Sequence, residues 1–292
     1  MKQYDEEFPV ERMAEVLGVS RSGYYRFLSA RPSAREQENK RLLEQILFIH
    51  QESHETYGSP RIHAELRATG QTCSRKRVAR LMKNHSLAAK MFKRFKRTTR
   101  QSEKPFFVAP DLLQQDFTAY EPNEAWVSDI TYIPTQRGWV YCAIILDLFS
   151  RKIVGLAIDD HMRADLILSA LRQALTHRHP SEGIIHHSDK GSQYTSQALK
   201  LLADRFGIQL STGRVANAFD NAVAESFFHT LKTEHVYFQN YRNLEEAKMD
   251  IFYYVYGFYN QTRRHSTLGY QSPAQFENEF YANKNLSLSS VH

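Results

Sequence analysis

The sequence predicts an α/β protein: a mixed sheet of three antiparallel strands followed by alternating helices and strands, flanked by helices and preceded by an all-α region. Three observations carry this. Up to about residue 105, apolar residues recur at helical spacing between Gly, Pro and Ser breakers. Beyond Pro110, strand-length runs of β-branched and aromatic residues follow one another across short turns. After these, helix-length and strand-length apolar patterns alternate, the pattern of a mixed sheet with helices on both faces. A chain of 292 residues is long enough for one large or two modest domains with a real core.

In the first segment, Val10-Glu11-Arg12-Met13-Ala14-Glu15-Val16-Leu17 has helical spacing and stops at Gly18. Ser20 is placed to cap a second helix running through Phe27, which gives helix-turn-helix spacing. Arg31-Pro32-Ser33 breaks the pattern, and a third helix from about Arg35 to Gln51 puts Leu42, Leu43, Ile46, Leu47 and Ile49 largely on one side. A second helix-turn-helix pattern follows. Pro60 opens one helix, Gly70 ends it, and Ser74 caps another through Lys83, with Val78, Leu81 and Met82 as its buried stripe.

Charge is unevenly spread. Residues 1–110 carry 22 Lys/Arg against 12 Asp/Glu, whereas the remainder carries 16 against 20. A basic front on a slightly acidic body suits an arm that grips a polyanion. Arg75, Lys76, Arg77 and Arg80, then Lys93, Arg94, Lys96 and Arg97, are the residues expected to meet DNA phosphates, because twelve basic residues and one acid, Glu103, lie between Arg75 and Lys104. No apolar run approaches the roughly 18 residues that span a bilayer, and the start, Met1 to Glu7, lacks the apolar stretch of a signal peptide. The two cysteines, Cys73 and Cys142, match no metal-ligand spacing and point to a reducing, cytoplasmic setting without membrane contact.

The strands come next. Ala125 to Ile133 is rich in strand formers, Trp139 to Asp147 is more buried in character, and Lys152 to Ile158 follows the turn at Phe149-Ser150-Arg151. A helix is expected from Arg163 to His177, a short strand over Gly183 to His187, a helix over Ser196 to Phe206, a fifth strand over Ile208 to Ser211, and a helix from Asn221 to about His235. A last helical region, about Leu244 to Asn260, is unusually aromatic, a run better suited to core packing than to base stacking.

Three acids stand out within this frame. Asp129 lies inside the first strand, sharing a face with Val127 and Thr131. Asp189 ends a short apolar strand and opens a polar loop, where α/β sheets place their sites. Glu225 lies near the start of a helix, with small Ala222 and Ala224 beside it, and Lys232 shares its face two turns later. Taken singly, each acid reads as a strand-end cap, a surface carboxylate or a helix ion pair. Together, with sixty residues from Asp129 to Asp189 and a 35-residue gap between Asp189 and Glu225, they read as a site. Convergent carboxylates are what a pair of hard divalent cations requires for phosphodiester chemistry. His187 and Gln193 are expected to support such ligands rather than join them; Asp147 and Asp220 suit turn and cap roles.

The chain resembles the second-reading-frame transposases of a large bacterial insertion-sequence family, in the DDE (retroviral-integrase-like) superfamily. The resemblance covers nearly the whole chain. It rests on Leu17-Gly18-Val19-Ser20-Arg21-Ser22-Gly23-Tyr24-Tyr25, Tyr57-Gly58-Ser59-Pro60-Arg61-Ile62, Trp126-Val127-Ser128-Asp129-Ile130-Thr131-Tyr132, Asp147-Leu148-Phe149-Ser150-Arg151, His187-Ser188-Asp189-Lys190-Gly191-Ser192-Gln193-Tyr194, Asp220-Asn221-Ala222, Glu225-Ser226-Phe227-Phe228 and Tyr259-Asn260. It implies a ribonuclease-H-like core, two Mg²⁺ ions (with Mn²⁺ as substitute) held by Asp129, Asp189 and Glu225, and Lys232 as a basic companion on DNA. It further implies action on transposon ends and target DNA as a homo-oligomer, and fusion to or cooperation with a first-reading-frame product. The stretch Leu210 to Asn217 departs from the family pattern, and two cysteines cannot build the zinc module of retroviral integrases. The expected division is a helix-turn-helix-like segment over 1–55, a second such DNA-binding module with its basic linker over 56–105, an integrase core over 115–240 and a helical extension over 241–292. A non-catalytic DNA-binding regulator and a metal-dependent nuclease without strand transfer are the alternative functions.

Overall fold

The computed structural model describes residues 1–91, 107, 109–213 and 221–289. The basic residues Lys93, Arg94, Lys96 and Arg97, the acid Asp220 and the divergent stretch from Arg214 to Asn217 lie outside the described residues.

Five helices open the chain. Helices α1 (Val10–Val16) and α2 (Arg21–Ser29) are separated by Gly18, whose φ of +64° suits glycine, and the Ser20 hydroxyl accepts the Gly23 N–H to start α2. Helix α3 (Ala34–Glu52) begins with a reciprocal capping box between Ser33 and Glu36. Helices α4 (Ser59–Ala68) and α5 (Arg75–Asn84) pack on α3 through Leu42, Ile46, Ile62, Leu66, Val78, Leu81 and Met82. The stripe expected on α3 is narrower than its apolar residues suggested: Leu42 and Ile46 are buried, whereas Leu47 is exposed.

The sheet has the order β3-β2-β1-β4-β5. Strands β1 (Ala125–Thr135), β2 (Gly138–Asp147) and β3 (Ile153–Asp159) form the antiparallel meander. Strands β4 (Ile185–Ser188) and β5 (Gln209–Thr212) add on the other side in parallel. Period-2 alternation sorts the side chains onto two faces. Trp126, Ala143, Ile145 and Val154 face the helices α6 (Ala164–Arg178) and α7 (Gln197–Arg205). Val127, Ile133, Val140, Cys142, Ile144 and Leu156 face α8 (Ala222–Glu234), α9 (Leu244–Phe252) and the π-helix Tyr253–Tyr259 that continues α9. At Gly155 a Cβ would stand 2.2 Å from the Ala170 carbonyl, so α6 lies directly on β3.

Polar side chains tie the outer layers to this sheet. The Asn260 amide exchanges two hydrogen bonds with the Ile153 backbone, both 2.9 Å, completing a stretch of strand backbone. Buried Asp147 accepts from the Asn123 and Ser150 N–H groups, the turn role expected of it. A last helix, α10 (Pro273–Ser289), lies within the helical extension expected over 241–292; its Glu277 is buried between Lys152 and Arg178.

The helical front docks on the body through buried charge. Glu234, the last residue of α8, accepts two 2.7 Å hydrogen bonds from Arg263 and one of 3.1 Å from Arg61 on α4. The Tyr57 hydroxyl accepts the Arg264 N–H at 2.7 Å, and the Arg264 guanidinium meets Glu65. Arg263 and Arg264, a basic pair that from sequence alone could equally face DNA, are structural, because each is buried and committed to a carboxylate. Removing one partner of a buried pair leaves the other charge unpaired, at a cost of about 3–5 kcal/mol. Arg263→Ala is therefore expected to lower stability by about that amount in urea unfolding; a loss no larger than that of an exposed pair contradicts the clamp.

Candidate active site

The site starts from strand register. Strands β1 and β4 pair in parallel as Ala125 with Ile185, Trp126 with His186 and Val127 with His187. Each pair is offset by sixty residues, the offset between Asp129 and Asp189. Asp129 therefore continues β1 past its last partner on β4, at the level where β4 gives way to the loop opened by Asp189. Both occur at the carboxyl end of β4, where a parallel sheet leaves its crevice.

Helix α8 brings the third acid. Asn221, at its N-terminus, does not cap the helix; its amide instead donates to the Ser128 carbonyl at 3.0 Å, beside Asp129. One turn on, Glu225 is exposed in the first turn of α8, where the helix dipole favours a carboxylate. Ala224, fully buried, lets the helix lie close to the sheet.

These acids feel one another. Burial first, then the negative charges of Asp189 and Glu225, push the Asp129 carboxyl well above the ordinary aspartate range; the Ile130 N–H and the Lys232 ammonium oppose the shift. Asp189 is also shifted upward, by desolvation among the crevice walls although its side chain reaches solvent, against the Gly191 N–H and His187. Lys232 is shifted downward by partial burial, with Asp129 holding its charge. The carboxylate oxygens of Asp129, Asp189 and Glu225 do not all come within 4.8 Å of one another. Among the described residues, the group that does is Asp159, Asp160 and His161, in the turn after β3. There His161 sits 3.5 Å from Asp159 and 3.7 Å from Asp165, a self-paired surface cluster.

The surrounding residues hold this arrangement. Asp189 accepts the Gly191 N–H at 2.9 Å, and a Cβ on Gly191 would lie 3.0 Å from that same oxygen and 2.8 Å from Gln193. Gln193 donates to the Met162 carbonyl, fastening the loop to the turn after β3. His187 is buried with Nδ1 2.8 Å from the Ser211 hydroxyl, consistent with supporting the strand end. His186, on the opposite face, is buried and its pKa falls to about 4. Of the basic residues on α5, Arg75, Lys76 and Arg80 are exposed. Arg77 is not free for phosphate as expected: its guanidinium bonds Glu38 at 2.7 Å and Asn39 at 2.8 Å, holding α5 on α3. Sequence reasoning missed the bridge from Asn221 to β1, because an Asn before a helix reads as a cap.

A helix-turn-helix unit followed by a five-stranded mixed sheet, with carboxylates gathered at its crevice, describes an integrase-type protein. Models of the integrase core domain match residues 119–218 and 225–280, and a model of an HTH-like domain matches residues 36–95. The chain is 42% identical over 269 residues to the insertion element IS600 uncharacterized 31 kDa protein of Shigella sonnei, covering 92% of this chain and 98% of that protein. It is 36% identical over 281 residues to the transposase InsF for insertion sequence IS3A of Escherichia coli (strain K12), covering 96% and 97%. The chain belongs to the IS3-type family of insertion-sequence transposases with an integrase core. Among solved structures it is similar to the HTLV-2 integrase catalytic core domain in complex with magnesium in its trimeric form (15% identical, TM-score 0.41, covering 55% of this chain and 99% of that one). It is also similar to the catalytic core domain of BIV integrase (18% identical, TM-score 0.41, covering 56% and 99%).

The upward shift of Asp129 has a consequence for stability. Its charged form is disfavoured in the fold, so the penalty is absent below the ordinary aspartate pKa and grows as pH rises through the shifted one. Asp129→Asn keeps an oxygen for the Ile130 N–H while removing the charge. Without divalent cations it is expected to raise the calorimetric unfolding midpoint near pH 7 and to leave it unchanged at about pH 3. An unchanged or lower midpoint near pH 7 counts against crowded like charge.

Proposed function

We propose that the protein catalyses DNA cleavage and strand transfer at insertion-sequence ends, with Asp129, Asp189 and Glu225 as the residues that hold divalent cations. The observation that carries this reading is that β1, the end of β4 and the first turn of α8 bring Asp129, Asp189 and Glu225 to one crevice, where burial and then the charges of the other two acids raise the Asp129 pKa. Their oxygen donors suit hard ions such as Mg²⁺, with Mn²⁺ as a substitute. Bound there, a pair of such ions supplies activation of the attacking oxygen and neutralisation of the leaving one.

The chain's own residues supply the rest. The crevice leaves Asp189 and Glu225 open to solvent, so a phosphodiester can approach. Lys232, whose charge acts on Asp129, offers an ammonium to a phosphate oxygen. Water attacks the phosphodiester at the element's end and releases a 3′-hydroxyl and a 5′-phosphate. That hydroxyl then attacks a phosphodiester of the target in line, displacing a second 3′-hydroxyl without a covalent protein intermediate. Arg75, Lys76 and Arg80, with the basic stretch that includes Lys93, Arg94, Lys96 and Arg97, hold duplex DNA by its phosphates. The functional unit is a homo-oligomer on DNA in the bacterial cytoplasm, at the nucleoid, acting fused to or with a first-reading-frame product.

Labelled DNA carrying the element's ends, incubated with the protein and Mg²⁺, is expected to yield joined products. Cut but unjoined ends would indicate a nuclease, and binding without cleavage a regulator. Unchanged products from Asp189→Ala would overturn the site. Gly191→Ala, which crowds the Asp189 carboxylate, is expected to cut the rate by about tenfold or more while end binding is retained; a wild-type rate shows that this contact sets nothing.

A further inference from the structure

The chain has two tryptophans, and they are used in opposite ways. Trp126 is fully buried under α6 and α7, whereas Trp139 is 53% exposed near the tip of the β1–β2 hairpin. The register pairs Tyr132 with Tyr141 and Pro134 with Trp139, so Tyr132 and Trp139 share a face. Their rings meet edge to face with centroids 5.0 Å apart. Tyr132 is also at the surface. It follows Asp129 by three residues on the same strand, about 10 Å at strand rise.

Lys232 links this pair to the carboxylates. Its ammonium lies 4.6 Å from the centre of the Tyr132 ring and also stabilises the charge of Asp129. Exposed Arg137 adds a second cation at the hairpin turn, whose backbone is anchored by the Gln136 N–H to the Tyr241 carbonyl at 2.9 Å. Strand β4 pairs with β1 only from Ala125 to Val127, so no described strand covers β1 on that side from Asp129 to Thr135.

We infer that Tyr132 and Trp139 form a stacking platform for an unpaired DNA base next to the scissile phosphate, with Lys232 and Arg137 meeting the adjoining phosphates. The inference rests on the proposed cleavage function and deepens it. Exposed aromatic faces interleaved with cations suit single-stranded nucleic acid, since every base has a face to stack and every phosphate a charge to pair. A base inside a duplex has both faces stacked on its neighbours, so a base beyond the terminal pair must be unpaired to use the platform. An acidic or apolar protein surface would use the cations or the rings, whereas a nucleotide uses both at this spacing.

The test uses the full chain with fluorescein-labelled twelve-residue oligothymidylate and its duplex with oligodeoxyadenylate. The single strand is expected to quench the tryptophan emission of the wild-type protein. Trp139→Phe should abolish that quench and keep single-strand affinity, because a phenyl ring still stacks. Trp139→Ala should weaken single-strand binding about tenfold or more, the range of a lost base stack, and leave duplex binding unchanged. Circular dichroism of both variants reports whether the fold is kept. Wild-type oligothymidylate affinity in Trp139→Ala overturns the platform. So does a loss of self-association in that variant, by sedimentation, with single-strand binding intact, which would make this face a contact between copies. The two claims fail separately. Cleavage by a protein whose single-strand binding ignores Trp139 removes the platform alone. Weakened binding in Trp139→Ala of a protein that never cleaves removes the cleavage reading alone.

Discussion

Like charges held together must be restrained by something, and in this protein the restraint of three carboxylates explains much of the architecture. Asp129, Asp189 and Glu225 come from separate elements, and burial followed by the repulsion of the other two raises the Asp129 pKa. Each is fixed by a different device. The parallel pairing of β1 with β4 sets Asp129 level with Asp189. The Gly191 N–H holds the Asp189 carboxylate in the loop. The Asn221 amide fastens the start of α8 to the carbonyl before Asp129. Under the proposed function a bound cation would offset this crowding, so the arrangement would serve binding rather than stability.

The other end of α8 is held just as firmly. Glu234, nine residues after Glu225, joins Arg61 of α4 to Arg263 of the C-terminal extension. One helix therefore carries a carboxylate of the site at its beginning and the junction with the helix-turn-helix unit at its end. The extension is part of the same frame: Asn260 completes β3, and Glu277 of α10 neutralises Lys152 and Arg178.

Much of this was legible in the sequence, for physical reasons. Alternating and 3.6-residue apolar patterns placed the sheet strands and most helices within a residue or two, because each buries one face. The three acids stood out as a set through their placement on a strand, a strand end and a helix. Long-range polar pairing was not legible. Arg77 looks like its exposed neighbours Arg75 and Lys76, yet Glu38 and Asn39 claim it; Arg263 and Arg264 look like a basic surface, yet Glu234 and Glu65 bury them. Helix α10 falls in the expected helical extension, but its bounds were not legible because its polar sequence Glu277-Asn278-Glu279 and Asn283-Lys284-Asn285 has no clear stripe, and only the buried position of Glu277 reveals why it docks.

The central claim is that the three carboxylates form one cation site, and Mn²⁺ binding to the full chain, read from loss of the free-ion electron paramagnetic resonance signal, tests it most directly. Wild-type protein should take up Mn²⁺ in competition with Mg²⁺. Asp129→Asn, Asp189→Asn and Glu225→Gln should each weaken uptake, and Asp160→Asn in the self-paired surface cluster should not. Wild-type uptake by all three carboxylate variants, or uptake lost only in Asp160→Asn, would contradict the account.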